Sequence, residues 1–310
     1  MPTLLFHSPA DSAGWWRDVL SEAMPELGFR AWPDTGDAGA IDYALVWKPK
    51  PGLLASLPNL RAILSLGAGV DHIFADPHLP AGVPICRVVD DNMTMRMREW
   101  VLLQVLMHHR QQRAYDEQQR NRIWKDRPQP HAGERRVGVM GLGVLGGDAA
   151  RQLKAVGFDV AGWSRTPRRI EGVTCYHGQD GLHAFLARTE ILVSLLPLTP
   201  ETTGILDADA FARMPRGASI INAGRGGQVV ETDLLAALDS AQLSEATLDV
   251  FATEPLPQES RLWSHPRVTV TPHVAASTDP RSVVHQVVAN IRRIEAGEAP
   301  LNTVDPARGY

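Results

Sequence analysis

The 310-residue chain is 44% hydrophobic and 21% charged, too apolar for a disordered chain and long enough for two domains of about 150 residues. Its 31 Lys and Arg against 35 Asp and Glu leave a net charge of −4, which argues against a generally basic nucleic-acid binder. No uncharged apolar run approaches the ~18 residues of a membrane span, and Met1–Phe6 lacks a signal peptide's basic start, so neither nucleic acid nor membrane is an expected partner.

In chain order, short apolar runs at Leu4–Phe6, Phe29–Trp32, Tyr43–Trp47, Ala62–Leu66 and Ile85–Val89 read as strands with helical segments between them. Trp47, at the end of the third run, is a candidate wall of a substrate pocket. After the fourth run, Leu66-Gly67-Ala68-Gly69-Val70-Asp71 is a turn of small residues that exposes backbone N–H groups to an anion. Cys86 and Cys175 fit no disulfide or metal spacing and suit a reducing cytoplasm. No proline or glycine interrupts the chain between Pro84 and Pro128. Within that stretch Met97–Met107 is apolar nearly all round and predicts a buried helix. From His108 to Arg122 it turns polar and arginine-rich, predicting an arm that is either a solvated surface or a contact with a second copy. Trp124 is a candidate to reach a partner subunit from that arm. His108-His109 has no ligand partner at metal spacing and reads as a surface or core pair; no metal is expected.

In the second half, strands are predicted to start near Val137, Asp159, Ile191, Ser219, Ala246 and Val268, at steps of 22, 32, 28, 27 and 22 residues. Each step fits one strand and one crossover helix, hence a mostly parallel sheet covered on both faces. A last helix runs from about Pro280 to Ala296 and follows the sixth strand, so it can return to the first domain.

The run Val137–Met140 leads into Gly141-Leu142-Gly143-Val144-Leu145-Gly146, then a helix over Asp148–Val156 and another strand. This is the context a dinucleotide fingerprint requires: a tight turn, close backbone approach to the pyrophosphate, and a helix N-terminus facing the phosphates. The next strand ends in Trp163-Ser164-Arg165-Thr166-Pro167-Arg168-Arg169, with no carboxylate for a ribose 2′-hydroxyl. Ser164, Arg165, Thr166 and Arg168 suit a 2′-phosphate instead, so NADP is expected, with NAD the weaker alternative.

Three later segments each bring an ionisable residue beside a strand end: Arg225 in Asn222–Gly227, Glu254 in Asp249–Pro257, and His273 in Thr271–Ala276. Reduction of a 2-keto acid needs a cation for the carboxylate and carbonyl, an acid for the new alkoxide, and a carboxylate that favours the protonated acid. Arg225, His273 and Glu254 supply those three types.

With these motifs and Leu196-Pro197-Leu198-Thr199-Pro200-Glu201-Thr202, the chain resembles the D-isomer-specific 2-hydroxyacid dehydrogenase family over essentially its whole length, and within it the glyoxylate/hydroxypyruvate reductase A group. The resemblance implies that Arg225 binds substrate, that His273 is the general acid/base and that Glu254 is its partner. It implies that Asp249 meets the nicotinamide carboxamide, and that Leu196, Pro197, Thr202, Ala223 and Gly224 line the cofactor site. It also implies that Gly67, Ala68 and Gly69 form the carboxylate-binding loop on the substrate side.

The expected fold class is α/β: two Rossmann-like doubly wound parallel-sheet domains with the active site in the cleft between them. Residues 1–98 with 274–310 are expected to bind substrate, and 99–273 to bind the dinucleotide. The expected function is NADPH-dependent reduction of small 2-keto acids in the cytoplasm by a homodimer. Alternatives are a relative acting on a bulkier keto acid or phosphoglycerate, and a non-catalytic nucleotide sensor.

Overall fold

A computed structural model describes residues 1–306 and 309 of the chain. They divide into two compact units, Met1–Met93 with Thr278–Tyr310, and Thr94–Ser277. The junctions therefore fall a few residues from the expected 98/99 and 273/274.

The first unit begins with β1 (Thr3–His7), α1 (Ala13–Ala23), β2 (Gly28–Ala31), β3 (Tyr43–Val46), β4 (Ala62–Ser65), α2 (Asp71–Phe74) and β5 (Ile85–Cys86). Its sheet has the order β2-β1-β3-β4-β5, with every pair parallel. The strands β3 and β4 are buried along their whole length, as strands covered on both faces must be. The chain direction across the sheet reverses between β1 and β3, so the loops after those strands border a switch point.

The helix α3 (Asp91–His109) carries the chain from the first unit into the second, followed by α4 (Gln112–Arg120). The single predicted arm is thus two helices. Gln111 stands between them in the left-handed region at φ 57°, where its side chain accepts from Arg127 Nε (2.6 Å) and donates to the Pro128 carbonyl (2.6 Å). The expectation of an all-round buried helix over 97–107 is also corrected. Met97, Val101 and Val105 are buried, but Leu103 and Leu106 are exposed.

The second unit continues with β6 (Arg136–Met140), α5 (Val144–Val156), β7 (Asp159–Ser164), β8 (Thr174–His177), α6 (Gly178–Arg188), β9 (Ile191–Ser194), α7 (Ala208–Arg213), β10 (Ala218–Asn222), α8 (Glu231–Asp239), β11 (Leu243–Leu248) and β12 (Val268–Val270). Its seven strands run β12-β11-β10-β9-β6-β7-β8, all parallel. Six of them match the predicted runs. The seventh, β8, escapes prediction because it is a partly exposed edge strand reading Thr-Cys-Tyr-His, with no apolar run. The switch point lies between β6 and β9. The final helix, α9 (Pro280–Glu295), packs on α1 and so belongs to the first unit. Asp279 caps it, and Pro280 starts it where no N–H is needed.

His108 pins α3 to the second sheet. Its ring nitrogens lie 2.9 Å from the hydroxyls of Ser219 and Thr247, on β10 and β11. Next to it, His109 sits edge-on to Phe158, with ring centroids 5.1 Å apart. The pair is therefore a core pair. Burial, reinforced by Arg113, pushes the His108 pKa down from 6.5 to about 3. Below pH 6.5 the unfolded chain takes up a proton there that the folded chain refuses, so acid favours unfolding. This site should cost about 1.4 kcal/mol per pH unit between pH 6.5 and 3. Urea unfolding of wild type and His108→Gln at pH 7.5 and pH 5 measures it. The stability advantage of wild type should shrink by about 2 kcal/mol at the lower pH, and an unchanged difference would refute the assignment.

Candidate active site

The glycine turn after β6 shows why those residues are needed. Gly141 has φ 91°, and a Cβ on it would lie 2.7 Å from the Leu195 carbonyl oxygen. A Cβ on Gly146 would lie 1.8 Å from the Gly141 carbonyl oxygen, so α5 can approach β6 only with glycine there. At Gly143, the N-cap of α5, a Cβ would meet no atom of the chain within 4 Å. What a side chain would occupy there is open space in front of a helix N-terminus. That cradle fits the pyrophosphate of a dinucleotide.

At the end of β7, Ser164 is buried and its hydroxyl donates to the Thr166 carbonyl (2.8 Å). Its hydrogen is thus spent on shaping the turn, which leaves Arg165, Thr166, Arg168 and Arg169 as the exposed donors. The Glu201 carboxyl is held below its usual range, chiefly by a hydrogen bond from Thr199, with the charge of Arg165 adding to it. In the same loop the Thr202 hydroxyl accepts from the Thr199 N–H (2.8 Å) and donates to the Pro197 carbonyl (2.7 Å), fixing the Leu196–Pro197 segment.

Arg225, Glu254 and His273 follow β10, β11 and β12, which are neighbours in the sheet, so parallel pairing brings all three loops to the same edge. Beside Arg225 lies a fully buried residue that sequence reasoning missed, Gln228. Its Oε1 accepts from the Arg225 N–H (3.2 Å) and the Ser194 hydroxyl (3.1 Å), and its Nε2 donates to the Leu196 carbonyl (2.7 Å). The buried Asn222 adds a bond from its Nδ2 to the Arg225 carbonyl (3.0 Å) and one from the Gly224 N–H to its Oδ1 (3.1 Å). The Ala223–Gly224–Arg225 backbone is therefore held by two amide side chains. Asn222 stood inside a recognised motif, whereas nothing around Gln228 distinguishes it from a surface glutamine.

His273 Nδ1 lies 3.0 Å from Glu254 Oε2, and Glu254 Oε1 accepts from the Phe251 N–H (3.2 Å). A carboxylate can only accept here, so Nδ1 carries the hydrogen. His273 itself is in the left-handed region, at φ 56°, unusual for a residue with a Cβ. Asp249 holds it there. Its Oδ1 accepts from the Thr271 hydroxyl (2.5 Å) and the Val274 N–H (2.9 Å), and its Oδ2 from the Ala275 N–H (2.9 Å). The Asp249 carbonyl also accepts from the His273 N–H (2.8 Å). Three donors on a buried carboxylate thus close the turn that carries the imidazole.

In the first unit, the indole of Trp47 and the ring of His72 lie 4.3 Å apart, and Gly67 packs against the same indole. The Gly67 N–H donates to Ser65 Oγ (3.1 Å), so the amides left to receive an anion at this turn are those of Ala68 and Gly69. Among the described residues no cluster of three His, Cys, Asp or Glu side chains could hold a metal ion. Among the same residues no helix is long and apolar enough to cross a membrane.

The family model for the D-isomer specific 2-hydroxyacid dehydrogenase NAD binding domain matches residues 102–275. The chain belongs to the D-isomer specific 2-hydroxyacid dehydrogenase family. A curated relative, glyoxylate/hydroxypyruvate reductase A of Yersinia enterocolitica, is 44% identical over 99% of both chains. Among solved structures, a D-isomer specific 2-hydroxyacid dehydrogenase from Xanthobacter autotrophicus Py2 in complex with NADPH and MES is 48% identical. It superposes with a TM-score of 0.95 over 100% of this chain and 99% of that one. The NADPH-dependent glyoxylate/hydroxypyruvate reductase of Sinorhizobium meliloti, in complex with NADP and sulfate, is 46% identical with a TM-score of 0.94 over 100% of both.

For a member of this family, Asp249→Asn should displace the His273 turn, because an amide NH2 then faces one of the N–H donors. The expected result is a loss of about 100-fold in kcat, the order of effect that misplacing a reacting group by an ångström produces. Steady-state kinetics on a 2-keto acid checks it, and a wild-type kcat would show that the turn holds without the carboxylate.

Proposed function

We propose that the protein is an NADPH-dependent reductase of small 2-keto acids, taking glyoxylate to glycolate and hydroxypyruvate to D-glycerate. The observation that carries this reading is the His273–Glu254 contact at 3.0 Å, between two loops on the same sheet edge as the one bearing Arg225. When bound, NADPH supplies the hydride that reaches the carbonyl carbon. Arg225 is the substrate-binding cation of the second unit, and the amides of Ala68 and Gly69 are the anion donors of the first. His273 passes the proton on Nε2 to the new alkoxide while Glu254, at Nδ1, stabilises and orients the ring. Gly141–Gly146 receives the pyrophosphate, and Leu196, Pro197, Thr202, Ala223 and Gly224 flank the dinucleotide. Asp249, besides closing the His273 turn, would be the residue that serves the nicotinamide carboxamide.

Preference for NADPH over NADH rests on Arg165, Thr166 and Arg168, exposed at a strand end that lacks a carboxylate. The relatives named as NADPH-dependent, or crystallised with NADP, support the same choice. We further propose a cytoplasmic homodimer. The exposed Leu103, Leu106, Ile123 and Trp124, on α3 and just past α4, are the apolar groups a second copy would cover.

Absorbance of NADPH during turnover of glyoxylate, hydroxypyruvate, pyruvate, phenylpyruvate and 2-ketoisocaproate tests the activity. Glyoxylate and hydroxypyruvate should lead the panel, and silence across it would end the proposal. In His273→Ala, kcat should fall by about 100-fold or more with NADPH affinity kept. NADH should give the lower kcat/KM, and parity or better with NADH would remove the 2′-phosphate assignment. Sizing in solution should give twice the monomer mass, and a monomer for Trp124→Ala combined with Leu103→Glu.

A further inference from the structure

Gln228 ends the short turn Gly226–Gln228 that follows Arg225, and it is completely buried. Its side chain folds back onto the Gly224–Arg225 peptide, whose N–H donates to Gln228 Oε1 (3.2 Å). The carbonyl of that same peptide accepts from the Arg225 guanidinium, at Nη1 (2.8 Å). One peptide unit is therefore gripped by Gln228 on one side and bonded to the cation on the other. The rest of the amide reaches the neighbouring strand. Oε1 accepts from the Ser194 hydroxyl (3.1 Å) at the end of β9, and Nε2 donates to the Leu196 carbonyl (2.7 Å) in the loop after it.

Backbone contacts extend this join in both directions. A Cβ on Gly224 would lie 2.6 Å from Gln228 Oε1, 2.9 Å from the Leu196 carbonyl oxygen and 3.1 Å from the Leu196 nitrogen. A Cβ on Gly141 would lie 3.1 Å from that same Leu196 nitrogen. Leu196 is thus seated between the glycine turn after β6 and the loop of Arg225, with Gln228 holding its carbonyl. On the far side, a Cβ on Gly226 would lie 1.8 Å from the Phe251 carbonyl carbon. The Arg225 loop therefore also abuts the segment whose N–H donates to Glu254.

We propose that Gln228 is a positioning residue that sets the Arg225 guanidinium in register with the cofactor wall at Leu196. The inference rests on the reading above, in which Arg225 binds the substrate and Leu196 flanks the dinucleotide. Hydride transfer depends on the distance between two bound groups, and Gln228 ties their two supports together. Losing it leaves each group able to bind and spoils their alignment, so the cost falls on kcat more than on either affinity. The join needs an acceptor and a donor in one side chain, as a neutral amide provides. A carboxylate in its place would set two acceptors, its own oxygen and the Leu196 carbonyl, against each other. A carboxylic acid would restore the pattern, with O–H donating to Leu196 and C=O accepting from Arg225 and Ser194. The atoms bonded to the amide are uncharged, and the charged residues flanking it in the chain are Arg225 and Glu231. Burial and Glu231 favour the acid form, and Arg225 opposes it.

The test measures kcat and KM for glyoxylate, the Kd for NADPH and thermal unfolding in wild type, Gln228→Met, Gln228→Asn and Gln228→Glu. Wild type and Gln228→Glu are compared at pH 5.5 and at pH 8.5. In Gln228→Met kcat should fall about tenfold or more, with the KM for glyoxylate and the Kd for NADPH kept within about threefold. Gln228→Asn, which keeps the amide but is one methylene short, should lose less and serves if the methionine variant does not fold. The kcat of Gln228→Glu relative to wild type should be at least about fivefold higher at pH 5.5 than at pH 8.5, since only the acid can donate to Leu196. Division by wild type at each pH removes the titration of His273. A lowered unfolding temperature with kcat within about twofold of wild type in every variant would make Gln228 a structural brace only and overturns the proposal. So does a loss confined to NADPH affinity, or a Gln228→Glu ratio that is the same at both pH values. Wild type that reduces neither glyoxylate nor hydroxypyruvate defeats the reductase reading itself, whereas good turnover with any of those results defeats this inference alone.

Discussion

A left-handed backbone at a residue with a Cβ costs on the order of 1–2 kcal/mol, and His273 adopts it where the chain leaves β12. The buried Asp249 carboxylate meets that cost. Thr271 on one side and Val274 and Ala275 on the other all donate to it, so the backbone between them has little freedom but to turn sharply at His273. The turn aims Nδ1 at Glu254, whose second oxygen is tied to the Phe251 backbone. One carboxylate thus organises the loop that carries His273, and another orients its imidazole. Such pre-organisation suits the role of proton donor proposed for His273, because its surroundings need not rearrange.

The neighbouring loop solves the same problem with neutral amides. Gln228 and Asn222 are buried and spend their side-chain donors and acceptors on Ser194, Leu196, Gly224 and Arg225. A neutral amide has both donors and acceptors, so it can bridge a carbonyl and an N–H where a carboxylate could accept only. The segment near Leu196 and the segment near Arg225 are consequently one rigid piece. In the first unit a single hydroxyl, Ser65 Oγ, does similar work for the turn at Gly67. Each of these braces is buried, short-sided and polar, which makes an unmet bond expensive and the native arrangement hard to leave.

Buried polar groups elsewhere serve the frame. His108 joins α3 to two strands through hydroxyls on both ring nitrogens. At the start of β3 the buried Tyr43 hydroxyl donates to Glu295 on α9 (2.5 Å), and burial with that bond keeps the phenol well above its usual titration range. Glu295 is also bridged by Arg61, so the last helix is fastened to the first sheet although some 250 residues separate them.

Every strand but β8, the glycine turn and the residues proposed as the Arg–Glu–His set were legible in the sequence, because continuous apolar runs, GxGxxG between strand and helix, and ionisable residues at strand ends are local signals. The edge strand β8, the break at Gln111 and the exposed Leu103 and Leu106 were not, since each depends on what lies beside the chain. By itself the sequence determined the fold class and the family, and it supplied the residues proposed for the site. Tertiary structure alone decided that Asp249 folds the His273 turn, that Gln228 is a buried brace, that the Ser164 hydroxyl faces its own loop, and that Trp47 rests on Gly67. The reason is physical: a hydrogen-bonding group can take many partners at similar energy, and only packing selects which of them remains within reach once water is excluded.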